Sequence, residues 1–332
     1  MRILVTGGCG FIGSNFIHYI LKKYPRYEVI NLDALTYAGN PDNLRDLEKD
    51  DRYRFVHGRI EDGVTVKKLM KEVDGVVNFA AESHVDRSIL DAYPFLITNI
   101  IGTSILLEAA RETGIKRFIH ISTDEVYGTL GEKGKFTEES PLRPNSPYAA
   151  SKTSGDLLAR AYCETHGLPV IIVRPSNNYG PYQFPEKFIP LMITNLLWGE
   201  KIPIYGRGEN IRDWLYVEDN CEAIDIILQK GKIGEVYNTG GEGEMNNISL
   251  ARLVLKLMEK DEGYIKLVKD RPGHDFRYAL DNTKIKGELD WRPLIAIEEG
   301  LRRTIEWYRG NEWWWRPLKE KLSTESKGFW ER

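Results

Sequence analysis

The chain has 332 residues, 42% of them hydrophobic, with 46 Lys and Arg against 49 Asp and Glu and a net charge of −3. It has no broad basic field to hold nucleic acid or an anionic membrane, and its three cysteines, Cys9, Cys163 and Cys221, lie too far apart for a CxxC zinc site or a disulfide framework, so no metal is expected. No basic leader or cleavage motif opens it and no apolar run reaches the ~20 residues that span a bilayer, so a soluble, cytoplasmic protein of about two domains is expected.

Residues 2–6 read as a strand that runs into "VTGGCGFIGSNF", with Gly7, Gly10 and Gly13 spaced as a GxxGxxG variant of the dinucleotide fingerprint. Glycine allows a tight turn and close backbone approach to a pyrophosphate, and the helix that follows, 12–23, presents its N-terminus to it. A second strand, 28–32, leads to Asp33. A carboxylate there accepts from the adenosine ribose hydroxyls and repels a 2′-phosphate, which favours NAD over NADP.

Further strands are predicted at 54–56, 75–79, 117–121 and 170–173, with an amphipathic helix at 98–113. Alternation of this kind implies right-handed βαβ units and a parallel sheet covered on both faces.

The fifth of these strands ends in "ISTDEVYG", which sets the carboxylates of Asp124 and Glu125 side by side. Neither residue favours a strand, so the pair reads either as a solvated turn or as two proton-transfer groups. A helix starting near Pro147 places Tyr148 and Lys152 four apart, on one face. A lysine ammonium beside a phenol favours the phenolate, and so makes the tyrosine a base near neutral pH.

After Arg174 the texture changes to dense Gly, Pro and aromatic residues. Helical patterns return at 217–230 and 248–259, with short strands near 235–238 and 265–268. We expect a Rossmann-type doubly wound parallel sheet over residues 1–174, borrowing elements from about 212–240, and a smaller mixed α/β domain over 175–332. The aromatic tail "WYRGNEWWW" reads as a helix capping the core or as an interface.

The Tyr-x-x-x-Lys pair after a dinucleotide loop resembles the short-chain dehydrogenase/reductase superfamily. "TGGCGFIGSNF", "DALTYAGN", "AAESHVDRSI", "TNIIGT", "STDEVYG", "SPYAASK", "SNNYGPYQFPEKFIPL", "RDWLYVEDN" and "DRPGHDFRYALD" are similar, more narrowly, to the dTDP-glucose 4,6-dehydratases of its extended branch. The resemblance implies an NAD-dependent hydro-lyase. The substrate's C4 is oxidised, water is eliminated across C5 and C6, and the hydride returns to C6. Thr123 then bonds the reacting oxygen, Tyr148 is the base for C4 oxidation, and Lys152 also holds the nicotinamide ribose. Asp124 is the acid for the C6 hydroxyl and Glu125 the base for the C5 proton. Like charges in contact split their titration, but the sequence leaves open which acid keeps the proton.

By the same resemblance Phe11, Ile12, Ala34, Leu35, Thr36, Ile60, Ala80, Ala81, Glu82 and Asn178 line the cofactor, with Thr98 at the nicotinamide end. Ser83 and Asn177 face the sugar; with the acid and base already assigned, His84 is expected in a structural or positioning role. Arg212 is a diphosphate clamp. Lys187, Phe188, Pro203, Tyr205, Asn247, Arg271 and His274 surround the diphosphate and base. Where the family carries Gly-Asp-Ile after the third strand, this chain has Gly58, Arg59 and Ile60. Arg59 cannot accept from adenine, but its plane can stack on it.

A homodimer is implied by the resemblance alone. Three other readings share parts of the pattern: a UDP- or CDP-sugar 4,6-dehydratase, a sugar-nucleotide 4-epimerase with no need of Asp124 and Glu125, and a silent NAD-sensing module. Against the last, a silenced site usually loses at least one of Tyr148, Lys152, Asp124 and Glu125.

Overall fold

The computed structural model describes residues 1–270 and 273–325. In chain order it contains β1 (Arg2–Thr6), α1 (Phe11–Lys23), β2 (Glu28–Asp33), β3 (Tyr53–His57), α2 (Gly63–Met70), β4 (Gly75–Asn78), α3 (Val85–Leu90), α4 (Tyr93–Leu96), α5 (Thr103–Thr113), β5 (Arg117–Ile121), α6 (Pro147–His166) and β6 (Val170–Pro175). There follow β7 (Asn177–Tyr179), α7 (Phe188–Trp198), β8 (Ile202–Tyr205), β9 (Ile211–Tyr216), α8 (Val217–Lys230), β10 (Val236–Thr239), β11 (Glu244–Asn246), α9 (Asn247–Leu257), β12 (Ile265–Val268), α10 (Thr283–Leu289), α11 (Ile297–Gly310) and α12 (Glu312–Glu325).

Among the described residues, β3, β2, β1, β4, β5, β6 and β10 form one seven-stranded sheet in that spatial order, every pair parallel. This is the doubly wound Rossmann-type sheet expected above. Chain order reverses between β1 and β4, which opens a crevice at the carboxyl ends of the strands. Alternation along β1 shows how the sheet is covered. Ile3 and Val5 join a core with Phe16 and Ile17 of α1 and Ile224 and Ile227 of α8. Leu4 joins the opposite core, with Leu69 of α2, Leu106 of α5 and Ala159 of α6.

The seventh strand, β10, lies after the chain has already entered the second lobe. Ile285 of α10 and Trp291 also bury themselves in the first core, so the exchange of elements runs past residue 240.

The second lobe is built on the sheet β11-β9-β7 and the parallel pair β8–β12. Its core joins Ile193 and Leu196 of α7, Leu250 and Val254 of α9, Leu301 and Tyr308 of α11, and Trp314 and Trp315 of α12. The aromatic tail therefore caps a core, with Trp313 left half-exposed.

The helix predicted at 98–113 starts five residues earlier and includes a π turn at Ile97–Gly102. As a continuous helix, Tyr93–Thr113 has a mean hydropathy of 1.3 and is long and apolar enough to cross a membrane by length and composition alone. This corrects the reading that no such run exists. One face of it is buried against α2 and α6, while Tyr93, Leu96 and Ile101 stay exposed.

Candidate functional site

Two cavities meet at the crevice. The first, of about 220 Å³, is lined by the glycine loop and the ends of β1, β2, β3 and β4. The second, of about 190 Å³, opens on the second lobe. Ser83, Gln183 and Lys187 line both.

The glycine loop is shaped by local geometry. Gly7 has φ +69°, and a Cβ there would stand 2.6 Å from the Ala80 nitrogen; one on Gly13 would stand 2.4 Å from the Gly7 carbonyl oxygen. Only residues without a Cβ let β1, the loop and α1 close this tightly, and the loop leaves a cradle that fits a dinucleotide pyrophosphate at the helix N-terminus. Asp33 closes the cradle. Its Oδ2 accepts from the Cys9 backbone N–H (2.8 Å) and its Oδ1 from that of Leu35 (2.8 Å). Burial raises the Asp33 carboxyl above its ordinary value, and the two backbone donors oppose the rise.

Gly10, Phe11, Ile12, Ala34, Thr36, Arg59, Ile60, Ala80, Ala81, Glu82, Thr98, Tyr148 and Lys152 line the first cavity, as expected. Leu35 does not; it packs its side chain against the first core and contributes only its N–H to Asp33. Thr98 spends its hydroxyl on Glu61 Oε1 (2.8 Å), on the β3 side of the cavity with Arg59 and Ile60.

The acid pair sits at the carboxyl end of β5. Thr123 caps the short turn Asp124–Tyr127, its Oγ1 accepting from the Glu125 N–H (3.3 Å) and donating to Asp124 Oδ1 (3.2 Å). Gly128 ends the turn at φ +82°. Glu125 lines the second cavity and is half-buried. Thr123 and Asp124, both expected against the substrate, are buried and are not among the residues lining either cavity, though Thr123 bonds Tyr148, which lines the first.

Asp124 is 1% exposed, and its buried Oδ2 has no hydrogen-bond partner among the described residues. Desolvation, then the neighbouring Glu125 and Asp213 carboxylates, push its carboxyl well above the ordinary carboxylate range. Arg212 and the Thr123 hydroxyl oppose them weakly. Of the pair, Asp124 is therefore the buried carboxyl held above its ordinary value, and Glu125 the one that opens on the cavity.

Helix α6 presents the second pair. Ser146 caps it, accepting from the Ala149 N–H (3.1 Å), and Pro147 occupies its first turn. Tyr148 and Lys152 then lie one turn apart on a buried face. Lys152 Nζ donates to the Ile121 carbonyl (2.6 Å), and burial lowers its pKa to about 8. The expected lowering of the Tyr148 phenol is not seen. Burial first, then the Glu125 and Asp124 carboxylates, hold it above its ordinary value, and its bond with Thr123 is outweighed.

Of the residues expected around the substrate, Ser83, His84, Asn177, Lys187, Phe188, Pro203, Tyr205, Arg212, Asn247 and His274 all line the second cavity. Arg271 lies outside the described residues. Arg212 donates to the Ile211 (2.8 Å) and Asp275 (3.1 Å) carbonyls, and its guanidinium sits 4.5 Å from the Tyr278 ring centre. Lys187 Nζ donates to the Ser83 carbonyl (2.9 Å), and the Tyr205 hydroxyl to Asp86 (3.0 Å), so the two lobes are tied across the mouth.

Asn178, expected against the cofactor, opens instead onto the second cavity. Its amide donates to the Ser176 carbonyl (2.9 Å), and Gln183, which donates to the Asn178 carbonyl (2.9 Å), takes the place between the cavities. Gln183, Tyr37 and Asp213 were not singled out from the sequence, although each lies inside a motif quoted above. Asp213 is buried and accepts from the Gly241 (3.0 Å) and Gly243 (2.9 Å) N–H groups, which pins that turn close to Asp124.

Comparison with known proteins follows the same lines. Residues 4–304 match the family model described as GDP-mannose 4,6 dehydratase. The chain is 52% identical over 323 residues to a dTDP-glucose 4,6-dehydratase from Streptomyces niveus, covering 96% of both chains. It superposes with a TM-score of 0.91 on the dTDP-glucose 4,6-dehydratase from Bacillus anthracis in complex with NAD, at 51% identity over 96% of this chain and 99% of the other. A UDP-glucose 4-epimerase from Thermotoga maritima, solved with UDP-glucose, gives a TM-score of 0.87 at 32% identity, covering 93% and 99%.

Proposed function

The chain belongs to the GDP-mannose 4,6 dehydratase family of extended short-chain dehydrogenases, and on that premise we propose that it is an NAD-dependent dTDP-glucose 4,6-dehydratase. The observation that carries the chemistry is the buried Asp124, its carboxyl pushed above the ordinary range, one residue from a half-buried Glu125 at the cavity wall, with the Tyr148 phenol close to both.

NAD, when bound, would supply a hydride acceptor for C4, the later hydride donor to C6, and a positive ring charge. The glycine loop, with Gly7, Gly10 and Gly13, and Asp33 would hold its pyrophosphate and adenosine ribose, and the Arg59 plane would be available to the adenine.

Tyr148 takes the C4 hydroxyl proton as the hydride leaves that carbon. The resulting ketone acidifies the C5 proton, which Glu125 removes. Asp124 delivers its proton to the C6 hydroxyl, which departs as water. As hydride reaches C6, Glu125 returns its proton to C5. Tyr148 then loses its proton to solvent and Asp124 regains one, which resets the site.

Each role fits its surroundings. An acid must hold its proton at working pH, and burial beside two other carboxylates does this for Asp124. A base must reach the substrate, and Glu125 lines the substrate cavity. Lys187 and Arg212 supply cationic groups for a diphosphate.

Residues 1–174, with the borrowed elements, form the NAD-binding domain, and 175–332 the sugar-nucleotide domain. A homodimer is supported by an exposed apolar patch: Ile89 and Leu90 of α3, Tyr93 and Leu96 of α4, Ile101 of the π turn and Leu157 of α6. A cytoplasmic setting is supported by three cysteines that are all free thiols.

The test is incubation of pure protein with dTDP-, UDP- and CDP-glucose, without added NAD, followed by product identification. A 4-keto-6-deoxy sugar from dTDP-glucose is expected. Release of only the C4 epimer would overturn the reading.

A further inference from the structure

The last helix and the dinucleotide loop are far apart in sequence but joined in space. Trp314 of α12 is 2% exposed and belongs to the core of the second lobe. Its indole ring packs edge-on against Trp307 (5.0 Å between ring centres) and Tyr182 (5.9 Å). Its Nε1–H leaves that lobe and donates to Asn43 Oδ1 (2.7 Å), 271 residues earlier in the chain.

Asn43 is 1% exposed and lies in the turn Pro41–Leu47, beside Leu44 of the first core. Its Nδ2 donates to the carbonyl of Cys9 (2.9 Å), in the glycine loop. The same carbonyl accepts from the Asn40 N–H (2.9 Å), so both of its lone pairs are used. The amide cannot turn over: a flip would face donor to donor at Trp314 and acceptor to acceptor at Cys9.

The anchored Cys9 carbonyl belongs to the peptide that also carries the Gly10 N–H, which donates to the Gly7 carbonyl (3.1 Å). Gly10 is the N-cap of α1. A peptide plane held at its oxygen by Asn40 and Asn43 thus sets where the first free N–H groups of α1 point. Those are the groups that meet a dinucleotide pyrophosphate.

We propose that Trp314 and Asn43 are positioning residues for the cofactor: a brace through which the C-terminal helix of the second lobe holds the glycine loop in its NAD-binding shape. This rests on the NAD-dependent reading above. It also gives the aromatic tail a role at the cofactor rather than at the sugar, in a stretch where resemblance assigned none.

The experiment measures NAD release from the purified holoenzyme. Bound NAD is quantified after extraction at intervals following transfer to cofactor-free buffer, with the melting temperature recorded in parallel. Trp314→Phe keeps an aromatic ring and removes the donor. Asn43→Asp keeps an acceptor for Trp314 and sets an oxygen against the Cys9 carbonyl. The control is Trp315→Phe, whose parent indole is as deeply buried on the same helix but donates to the Tyr308 carbonyl (2.7 Å), away from the loop.

Loss of one buried hydrogen bond corresponds to about a three- to tenfold change. NAD release about that much faster is expected in Trp314→Phe, and faster still in Asn43→Asp. Trp315→Phe should lower the melting temperature yet release NAD at the parent rate.

Release at the parent rate in both brace variants overturns the proposal, as does equal acceleration in Trp315→Phe, which would reduce the effect to general loosening. If Trp314→Phe does not fold, Asn43→Asp against Trp315→Phe decides. A parent protein that holds no NAD at all would instead sink the functional reading itself.

Discussion

The two cavities meet at three shared residues but are built in opposite ways. The first rests on backbone: a glycine turn, a helix N-terminus, and a carboxylate held by two main-chain N–H groups, all at adjoining strand ends of one parallel sheet. The second is assembled from side chains of separate segments, including the 83–86 loop, β7, β8, β9 and the stretch at 274–278. The contrast matches what each would recognise under the proposed function. A pyrophosphate is met by any correctly aimed N–H, so the first cavity depends on where the chain can go. A sugar nucleotide is read by donors, acceptors and charges, so the second depends on which side chains arrive.

The comparison can be tested by substitution, and the largest effects belong to the two proposed proton-transfer groups, Tyr148 in the first cavity and Glu125 in the second. Tyr148→Phe should lower kcat by about 10²–10⁴-fold, the usual range for a lost acid–base group, with NAD content unchanged. Glu125→Gln should lower overall turnover over the same range while sparing C4 oxidation. Reduced-cofactor absorbance should therefore accumulate on mixing with substrate; normal turnover would remove Glu125 from its role as base.

Next in size is a backbone test of the first cavity. Gly7→Ala places a Cβ 2.6 Å from the Ala80 nitrogen at φ +69°. NAD affinity measured by calorimetry should fall by about 10–100-fold, whereas truncating a side chain there, as in Arg59→Ala, should cost about threefold or less. Equal losses would break the distinction between a backbone site and a side-chain site.

A pH profile sharpens the middle ground. Lys152 has a pKa lowered to about 8, so its ammonium is lost as pH rises through that value. If the charge is needed, kcat/KM should fall on the alkaline side around pH 8, and Lys152→Arg, which stays charged, should shift that fall upward.

The smallest effect is on stability. The folded-state pKa of Asp124 is raised, so the parent loses stability as pH climbs from the ordinary carboxylate value through the raised one. Asp124→Asn removes that loss. Its melting temperature at neutral pH should exceed that of the parent by about 1–3 °C while dehydration is abolished, and the gap should close as pH falls toward the ordinary carboxylate range. A lower melting temperature at neutral pH would show that Asp124 is not held against its solvation preference.

Much of this was legible in the residues because it is local. Gly7, Gly10 and Gly13 define a turn within seven residues. Asp124 and Glu125 are neighbours by covalent bonding, and Tyr148 and Lys152 share a helix face by its 3.6-residue period. Strands β1 to β6 were found within one or two residues because hydrophobic runs bounded by turn signals are short-range patterns. Spacing and residue type therefore set out the groups on offer: a dinucleotide loop, two adjacent carboxylates, and a phenol beside an amine, while the acid and base roles came from the family resemblance.

What only the folded chain decided depends on neighbours distant in sequence and on how much water is removed. The Asp124 carboxyl is pushed above its ordinary value because it is 1% exposed and because β9 adds Asp213 to its neighbour Glu125. Tyr148 moves upward rather than downward because desolvation and the Glu125 and Asp124 carboxylates together outweigh its bond with Thr123. Asn178 turns to the second cavity and Leu35 to the core, while Gln183 reaches the junction. The Trp314–Asn43 bond spans 271 residues. Short-range pattern sets which groups a segment carries; burial and long-range packing set the direction of their pKa shifts, their partners and the cavity they serve.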